Sequence, residues 1–391
     1  MRTSKLLKFS IIIGELLLVV AFAYYASHFV GASIGHHGDL LGRVVNLENL
    51  RHTGNIYLPF GTQAFTYPPG AILLLWPLMW IPLHLLAFTW TLGSLLALIG
   101  TVFIAQRYVL KQELMTVSMS ACAIGIGSIF LFPSVRDCLG WGQTSTFIMF
   151  AVMLDWLIVR GKSQGVLLGL MAALKLYPAI FILVWLLRRQ WQAAFTALAT
   201  FTVITMSAVV LWPASASTYV SKVLFGGNEL KHFLSNRAPI SSSSFSSMLN
   251  RAPFHIGEFG SIGAFVGSLF VVVLGLYAAQ NLWKRSYEFS SAVVILMTSI
   301  IGAPVAWDHY FTYAPILIFV ALEVGMKSWT ARTALLNIAV LIVPWNHWRS
   351  ATSTSWMASF GTYMSRNSIT LASLALLTAA LLERSTHSPA D

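Results

Sequence analysis

The chain is predicted to be an all-α polytopic membrane protein, and three observations carry that class. Only 9% of its 391 residues are charged while 57% are hydrophobic, against roughly 25% charged in soluble domains. Apolar runs recur along the whole chain, many near the roughly 20 residues that cross a bilayer as a helix. The Lys and Arg residues fall mainly in short connectors between those runs, where positive charge sets orientation. A formal charge of +11 would direct a soluble chain towards nucleic acid. Spread over connectors it is a topology signal, and a nucleic-acid partner is excluded.

The first apolar run, 7–27, follows MRTSKLLK in the manner of a signal peptide. It is long enough to span and lacks an A-x-A-like cleavage site, so it is expected to be a retained helix. Further spans are expected at 86–106, 114–132, 144–159, 191–212, 261–282, 289–304, 311–325, 331–346 and 368–383. Gln164 to Leu187 is long for one helix and short for two full spans. A single crossing would strand Arg188 and Arg189 outside and invert every later loop; a hairpin of two short helices turning near Lys175 keeps the basic connectors together, as the positive-inside rule favours. Pro68 to Pro82 is rich in proline and suits a helix lying shallowly on the outer face. The total is about twelve membrane helices in a single domain, 1–391, with outer segments at about 28–82, 212–260 and 345–367.

In this arrangement fourteen of the 24 Lys and Arg residues face inwards, and the other ten accompany acids and histidines in the outer segments. The active face is therefore expected on the extracytoplasmic side of the cell membrane. Cys122 and Cys138 are separated by roughly 24 Å at the helical rise, too far to pair.

Several outer motifs occur in order. Asp39 lies in GHHGDL; then come Gly54-Asn55-Ile56-Tyr57, Phe65-Thr66-Tyr67-Pro68-Pro69, Gly142-Gln143, Lys175 with Pro178, and Pro304 with Trp307-Asp308-His309. Together they resemble glycosyltransferase family 87. The resemblance implies a GT-C fold, with amphipathic helices in the first outer loop, and a polyprenyl-phosphate sugar as donor. It implies an inverting transfer of mannose from polyprenyl-phosphate mannose to a glycolipid or lipoglycan such as a phosphatidylinositol mannoside, through an α-1,2 linkage, with no cofactor. A pentose donor, decaprenyl-phosphate arabinose, is the alternative within the same fold. The family's polar element in the middle loop has no evident counterpart; Asn236 to Ile240 and a serine run from Ser241 to Ser247 stand there.

GT-C enzymes place an acid in the first outer loop as general base, and by that resemblance Asp39 takes the proton of the acceptor hydroxyl. The plainer alternative is that Asp39 caps an amphipathic helix from Leu40 to Leu50. His36 and His37 beside it would make a metal site with Asp39, but adjacent histidines in an extended segment point opposite ways, so no metal is expected. Lys175, between two apolar helices, is an expensive place for an ammonium unless an anion meets it; donor phosphate and snorkelling are the two alternatives. His309 is the second candidate catalytic residue, set against a structural histidine in an aromatic girdle, and Asp308 would orient it. Gln143, Tyr67 and Trp307 are candidate donor-binding residues, with Trp141 and Tyr177 as further sugar-stacking positions. Arg237 and Lys231 would meet an acidic acceptor or stay solvated. Glu15 and Asp155 fall inside apolar runs and keep open a lipid or sugar transporter, although Asp155 is close enough to Arg160 to pair with it.

Overall fold

The computed structural model describes residues 37–58, 65–111, 114–224, 242–250, 259–325 and 367–382. The expected spans at 7–27 and 331–346, all of the outer segment at 345–367 except Asn367, and Glu15, His36, Lys231 and Arg237 lie outside the described residues. Among the described residues all regular structure is helical, apart from an isolated antiparallel bridge between Ser242 and Trp307.

The first outer segment supplies α1 (Gly38–Thr53) and α2 (Gly70–Leu75), the latter continuing as a 3-10 turn over Trp76–Trp80. Leu40, Arg43, Leu47 and Leu50 point into the protein from α1, at the 3- and 4-residue spacing of one helical face. Gly54, at φ +71, ends the helix by donating its N–H to Leu50 O at 2.8 Å. There follow α3 (Leu83–Leu110), α4 (Leu114–Leu131), α5 (Pro133–Gly140) and α6 (Ser145–Leu157). Pro133 opens α5, and the chain turns by 90° between α4 and α5. Then come α7 (Val166–Leu174), α8 (Ile180–Leu187), α9 (Trp191–Leu211), α10 (Pro213–Thr218), α11 (Phe245–Asn250), α12 (Phe259–Lys284), α13 (Glu288–Ile301), α14 (Leu317–Gly325) and α15 (Ser368–Leu382).

Leu83–Leu110, Trp191–Leu211 and Gly263–Lys284 are long and apolar enough to cross a bilayer, and a fourth crossing is added if the bent pair Met119–Leu131 and Pro133–Gly140 is one span. The other expected spans within the described residues are shorter apolar helices. The 14 residues of α13 rise about 21 Å, and every residue from Phe289 to Ile301 is buried. Such an all-round apolar helix is covered by neighbours rather than by lipid.

Lipid tails are as apolar as leucine, so apolar helices associate in a bilayer through close packing of small residues more than through the hydrophobic effect. A Cβ placed on Gly165 would lie 2.3 Å from Ala193 O, and one on Gly169 2.5 Å from Ala197 O. Further along, Ala173 and Thr205 meet at Gly70. Thus α7 runs alongside α9 in the same direction, from the first turn of α9 upwards. The chain then breaks at Lys175 and Pro178 and returns through α8 to Gln190, at the start of α9. The segment from Gln164 to Gln190 leaves and rejoins the same end of α9, with Lys175 at its turn.

Asp155 does not pair with Arg160. Fully buried, it accepts the backbone N–H groups of Gly165 at 2.8 Å and Leu168 at 2.7 Å, while Arg160 donates to the carbonyls of Trp156 and Val159. The first N–H groups of a helix have no intrahelical partner, and this carboxylate satisfies two of them for α7. Glu323 does the same for α13, accepting Ser290 N at 2.8 Å and the Ser290 hydroxyl. Both oxygens of Asp155 are thereby committed to a cap, so Asp155 no longer supports a transporter; Glu15, the other acid behind that alternative, lies outside the described residues.

Candidate active site

The site begins where α1 meets the turn between α5 and α6. His37 adopts a left-handed conformation at φ 43 and starts α1 without a side-chain cap. Its N–H donates to Gly140 O at 3.0 Å, and Leu40 N donates to Trp141 O at 3.2 Å. Carbonyls of the turn thus serve the open end of α1, and Asp39 is a first-turn residue rather than the cap. Gly142, at φ +67, carries the turn past α1; a Cβ there would stand 2.6 Å from Leu40 Cβ.

The docked turn brings Gln143 onto Asp39. The Gln143 amide nitrogen donates to Asp39 Oδ2, while its oxygen accepts from Arg43 Nη2 at 3.0 Å and from the Tyr67 hydroxyl at 3.3 Å. Arg43 is one helical turn after Asp39, on the same face of α1, and only 3% exposed. Its Nη1 donates to Gly142 O at 2.7 Å and its Nη2 also to the Tyr67 hydroxyl at 2.7 Å. Tyr67 is held from the other side, since the Tyr57 hydroxyl donates to Tyr67 O at 2.6 Å. The Gly54-Asn55-Ile56-Tyr57 motif anchors this segment on α10: Asn55 Nδ2 donates to the Thr218 hydroxyl at 2.7 Å and Ile56 N to the Ser215 hydroxyl at 3.1 Å.

Lys175, 7% exposed, enters from the turn between α7 and α8. Its ammonium lies 4.0 Å from the ring centroid of Tyr310 and 5.1 Å from that of Tyr67, and Nζ has no acceptor at hydrogen-bonding geometry among the described residues. Two π-faces attract a cation but leave its N–H groups unanswered. Tyr177 stacks on Tyr310 at 5.9 Å.

The third part is the connection between α13 and α14. The serine run reaches it: Ser243 N donates to Ala306 O at 2.6 Å, Ala306 N to the Ser242 hydroxyl at 3.1 Å, and the Ser243 hydroxyl to Asp308 Oδ1. Asp308 is therefore tied to the serine run. His309 sits edge-on to Tyr310, ring centroids 5.0 Å apart. Burial, then the cations of Lys175 and Arg43, hold its imidazole well below the usual histidine range, so His309 is neutral at physiological pH and both donates and accepts hydrogen bonds.

The structure thus gathers Asp39, Tyr67, Gln143, Lys175 and His309 around one cluster, with Asp308 behind it. Trp307 is half-buried on the Ser242 bridge, and Trp141 is half-exposed beside the docked turn. His37 is engaged by the Thr91 hydroxyl at 2.8 Å, and no group of three metal-ligating side chains occurs among the described residues. Arg43 and Tyr310 are central here, yet the sequence marked Arg43 only as one more outer cation. The available signal was its position: with Leu40, Leu47 and Leu50 it falls on the inward stripe of α1, where an arginine needs partners.

A family model described as glycosyltransferase family 87 matches residues 65–307. The match starts beyond Asp39 and Arg43 and ends at Trp307. The chain is 26% identical over 288 residues, covering 72% of it and 67% of the relative, to a Mycolicibacterium smegmatis protein named polyprenol-phosphate-mannose-dependent alpha-(1-2)-phosphatidylinositol pentamannoside mannosyltransferase. It is 27% identical over 311 residues, covering 74% of it and 69% of the relative, to a Mycobacterium tuberculosis protein named polyprenol-phosphate-mannose-dependent alpha-(1-2)-phosphatidylinositol mannoside mannosyltransferase.

Proposed function

The chain belongs to glycosyltransferase family 87, and from that premise we propose that it transfers mannose from polyprenyl-phosphate mannose to a glycolipid of the phosphatidylinositol mannoside class, forming an α-1,2 linkage with inversion on the outer face of the membrane. One observation carries this most: a carboxylate oriented by an amide, Asp39, and a buried ammonium without an acceptor among the described residues, Lys175, meet around Tyr67. An acceptor alcohol is a poor nucleophile and needs a base, whereas a polyprenyl phosphate leaves as a stable anion and needs no acid. Asp39 takes the hydroxyl proton, the acceptor oxygen bonds to the anomeric carbon, and the carbon–oxygen bond to phosphate breaks with its electron pair leaving on the phosphate. A single displacement turns a β-linked mannosyl phosphate into an α-mannoside.

Lys175 is the cation for that phosphate. Tyr67 and Tyr310 cover it, so phosphate entry requires one ring to turn aside. Neutral His309 offers a hydrogen bond to the phosphate or the sugar, and Trp307 and Tyr67 offer ring faces. Asp308 acts behind them by holding the His309 turn on the serine run. Gln143 has used its oxygen and one amide hydrogen on protein groups, leaving one hydrogen for a sugar hydroxyl. Lys231 and Arg237, in the middle outer segment, are assigned to the acidic acceptor. About twelve membrane helices in one GT-C domain complete the proposed architecture. Incubating purified protein with polyprenyl-phosphate mannose or decaprenyl-phosphate arabinose and a glycolipid extract, followed by mass and linkage analysis, tests the assignment. Transfer of arabinose instead of mannose would replace the donor.

For Lys175→Ala, donor binding should weaken by about 10- to 150-fold, the equivalent of roughly 1.5–3 kcal/mol for a hydrogen bond to a charged group. Titration of detergent-solubilised protein with polyprenyl-phosphate mannose measures it. Unchanged affinity would leave Lys175 as a packing residue held by two rings.

Sidedness is testable with two exposed serines at opposite ends of α9. Ser163 precedes Gly165, which packs at the start of α9, and Ser217 lies just past its end; the 21 residues between rise about 31 Å. With Cys122 and Cys138 replaced, Ser217→Cys should react with an impermeant thiol reagent in intact cells and Ser163→Cys only after permeabilisation. The reverse pattern would put the site on the cytoplasmic face.

A further inference from the structure

Arg43 is a buried cation that forms no ion pair with a carboxylate among the described residues. Ion pairs elsewhere in the described residues include those of Glu48 with Arg51 and His52, and of Arg136 with Asp137. Arg43 instead spends its two terminal nitrogens on three neutral acceptors: Gly142 O at 2.7 Å, the Tyr67 hydroxyl at 2.7 Å and Gln143 Oε1 at 3.0 Å. Asp39 stands one turn away on the same helix, yet the amide of Gln143 is what touches it. That amide is determined in orientation, because Arg43 and Tyr67 both donate to its oxygen and so direct its nitrogen at the carboxylate.

We propose that Arg43 and Gln143 are positioning residues that act through Asp39: the guanidinium locks the amide, and the amide holds one carboxylate oxygen so that the other faces the acceptor hydroxyl. A direct Arg43–Asp39 pair would aim the carboxylate equally well but would withdraw its basicity. Interposing a neutral amide separates orientation from charge neutralisation. The planar fork of arginine is needed because the three acceptors are met by two nitrogens at once; a lysine ammonium on a flexible stem does not reproduce that geometry. Tyr67 closes the unit, accepting from Arg43 and donating to Gln143.

This proposal rests on Asp39 being the base, and Asp39→Asn tests that premise separately. Three variants test the relay, each assayed for kcat and for donor affinity with polyprenyl-phosphate mannose. Gln143→Leu should lower kcat by about 100-fold, the scale of a small misplacement of a reacting group, with donor affinity weakened by no more than about tenfold, the worth of the one neutral hydrogen bond to a sugar hydroxyl that goes with the amide. Arg43→Lys should lower kcat by at least about tenfold, also with donor affinity held. Gln143→Glu puts a second carboxylate beside Asp39. The titratable and charged groups already facing Asp39 are Arg43, Tyr67 and Tyr310, with Lys175 and His309 beyond Tyr67 and Tyr310. A carboxylate at that position has no N–H to give Asp39, so kcat should fall as far as in Gln143→Leu, with donor affinity held to the same extent. A merely structural role would lower the unfolding temperature and donor affinity together with kcat. Retention of kcat within about threefold in both Gln143→Leu and Arg43→Lys overturns the proposal. A fall in donor affinity as large as the fall in kcat would make these residues donor contacts and overturn it as well. Should Arg43→Lys not accumulate as folded protein, the two Gln143 variants decide. Activity in Asp39→Asn would overturn the base itself, whatever the relay variants do.

Discussion

Replacement of Asp39 by asparagine is expected to lower turnover by roughly 10²–10⁴-fold, the range that general base catalysis contributes, while leaving donor affinity and thermal stability close to the parent. The substitution is nearly isosteric. Its side-chain oxygen still accepts from Gln143, so position is kept and only the ability to take a proton is lost. Stability should hold because Asp39 does not cap α1: the open N–H groups there are met by the carbonyls of Gly140 and Trp141. Initial rates from about pH 5.5 to 9, with binding of polyprenyl-phosphate mannose measured on the same preparation, distinguish the outcomes. Turnover near the parent value would remove Asp39 from the chemistry.

A methyl group at Gly142 should be nearly as damaging, through geometry rather than chemistry. The added Cβ would stand 2.6 Å from Leu40 Cβ, and the residue is held at φ +67. A left-handed conformation costs a residue with a side chain roughly 1–2 kcal/mol, and overpacking adds about 1–3 kcal/mol. Relief requires the turn to move off α1, which takes Gln143 away from Asp39 and Gly142 O away from Arg43. Gly142→Ala is therefore expected to lower the unfolding temperature in detergent and to lose most transfer activity. Gly54→Ala is the control, since Gly54 sits at φ +71 with nothing within 4 Å of an added Cβ. It should carry the conformational cost alone and keep activity. Equal effects of the two substitutions would mean that contact with Leu40 does not hold the turn.

Much of the local structure was legible before any tertiary contact was known. The apolar runs at 86–106, 114–132, 191–212 and 261–282 lie on α3, α4, α9 and α12, because a long apolar segment in lipid must satisfy its backbone internally and does so as a helix. The break at Lys175 was marked by Pro178, and the inward face of α1 by the spacing of Leu40, Leu47 and Leu50. Other signals misled for a physical reason. Asp155 was matched to Arg160, its near neighbour in sequence, but a buried carboxylate goes to whatever donors the fold leaves unsatisfied, and these were the first N–H groups of α7. The serine run stood out as a departure from the family's middle loop; in three dimensions its hydroxyls and backbone hold Ala306 and Asp308, and so the turn that carries His309.

The sequence by itself determined that this chain is helical and apolar enough for a membrane, where its longest helices run and where the chain breaks near Lys175, and which polar residues are too costly in apolar surroundings to be idle. These properties depend on hydropathy, proline geometry and contacts within one or two helical turns, all of which are written locally. Tertiary structure alone decided which polar groups meet. Asp39 and Gln143 are 104 positions apart and Arg43 and Gly142 are 99 apart, and their meeting depends on the 90° bend after α4, the positive φ of Gly142 and the docking of that turn on α1. A cation such as Arg43 looks the same in sequence whether it is solvated or buried against three acceptors, because its desolvation and its partners are properties of the packed helices around it.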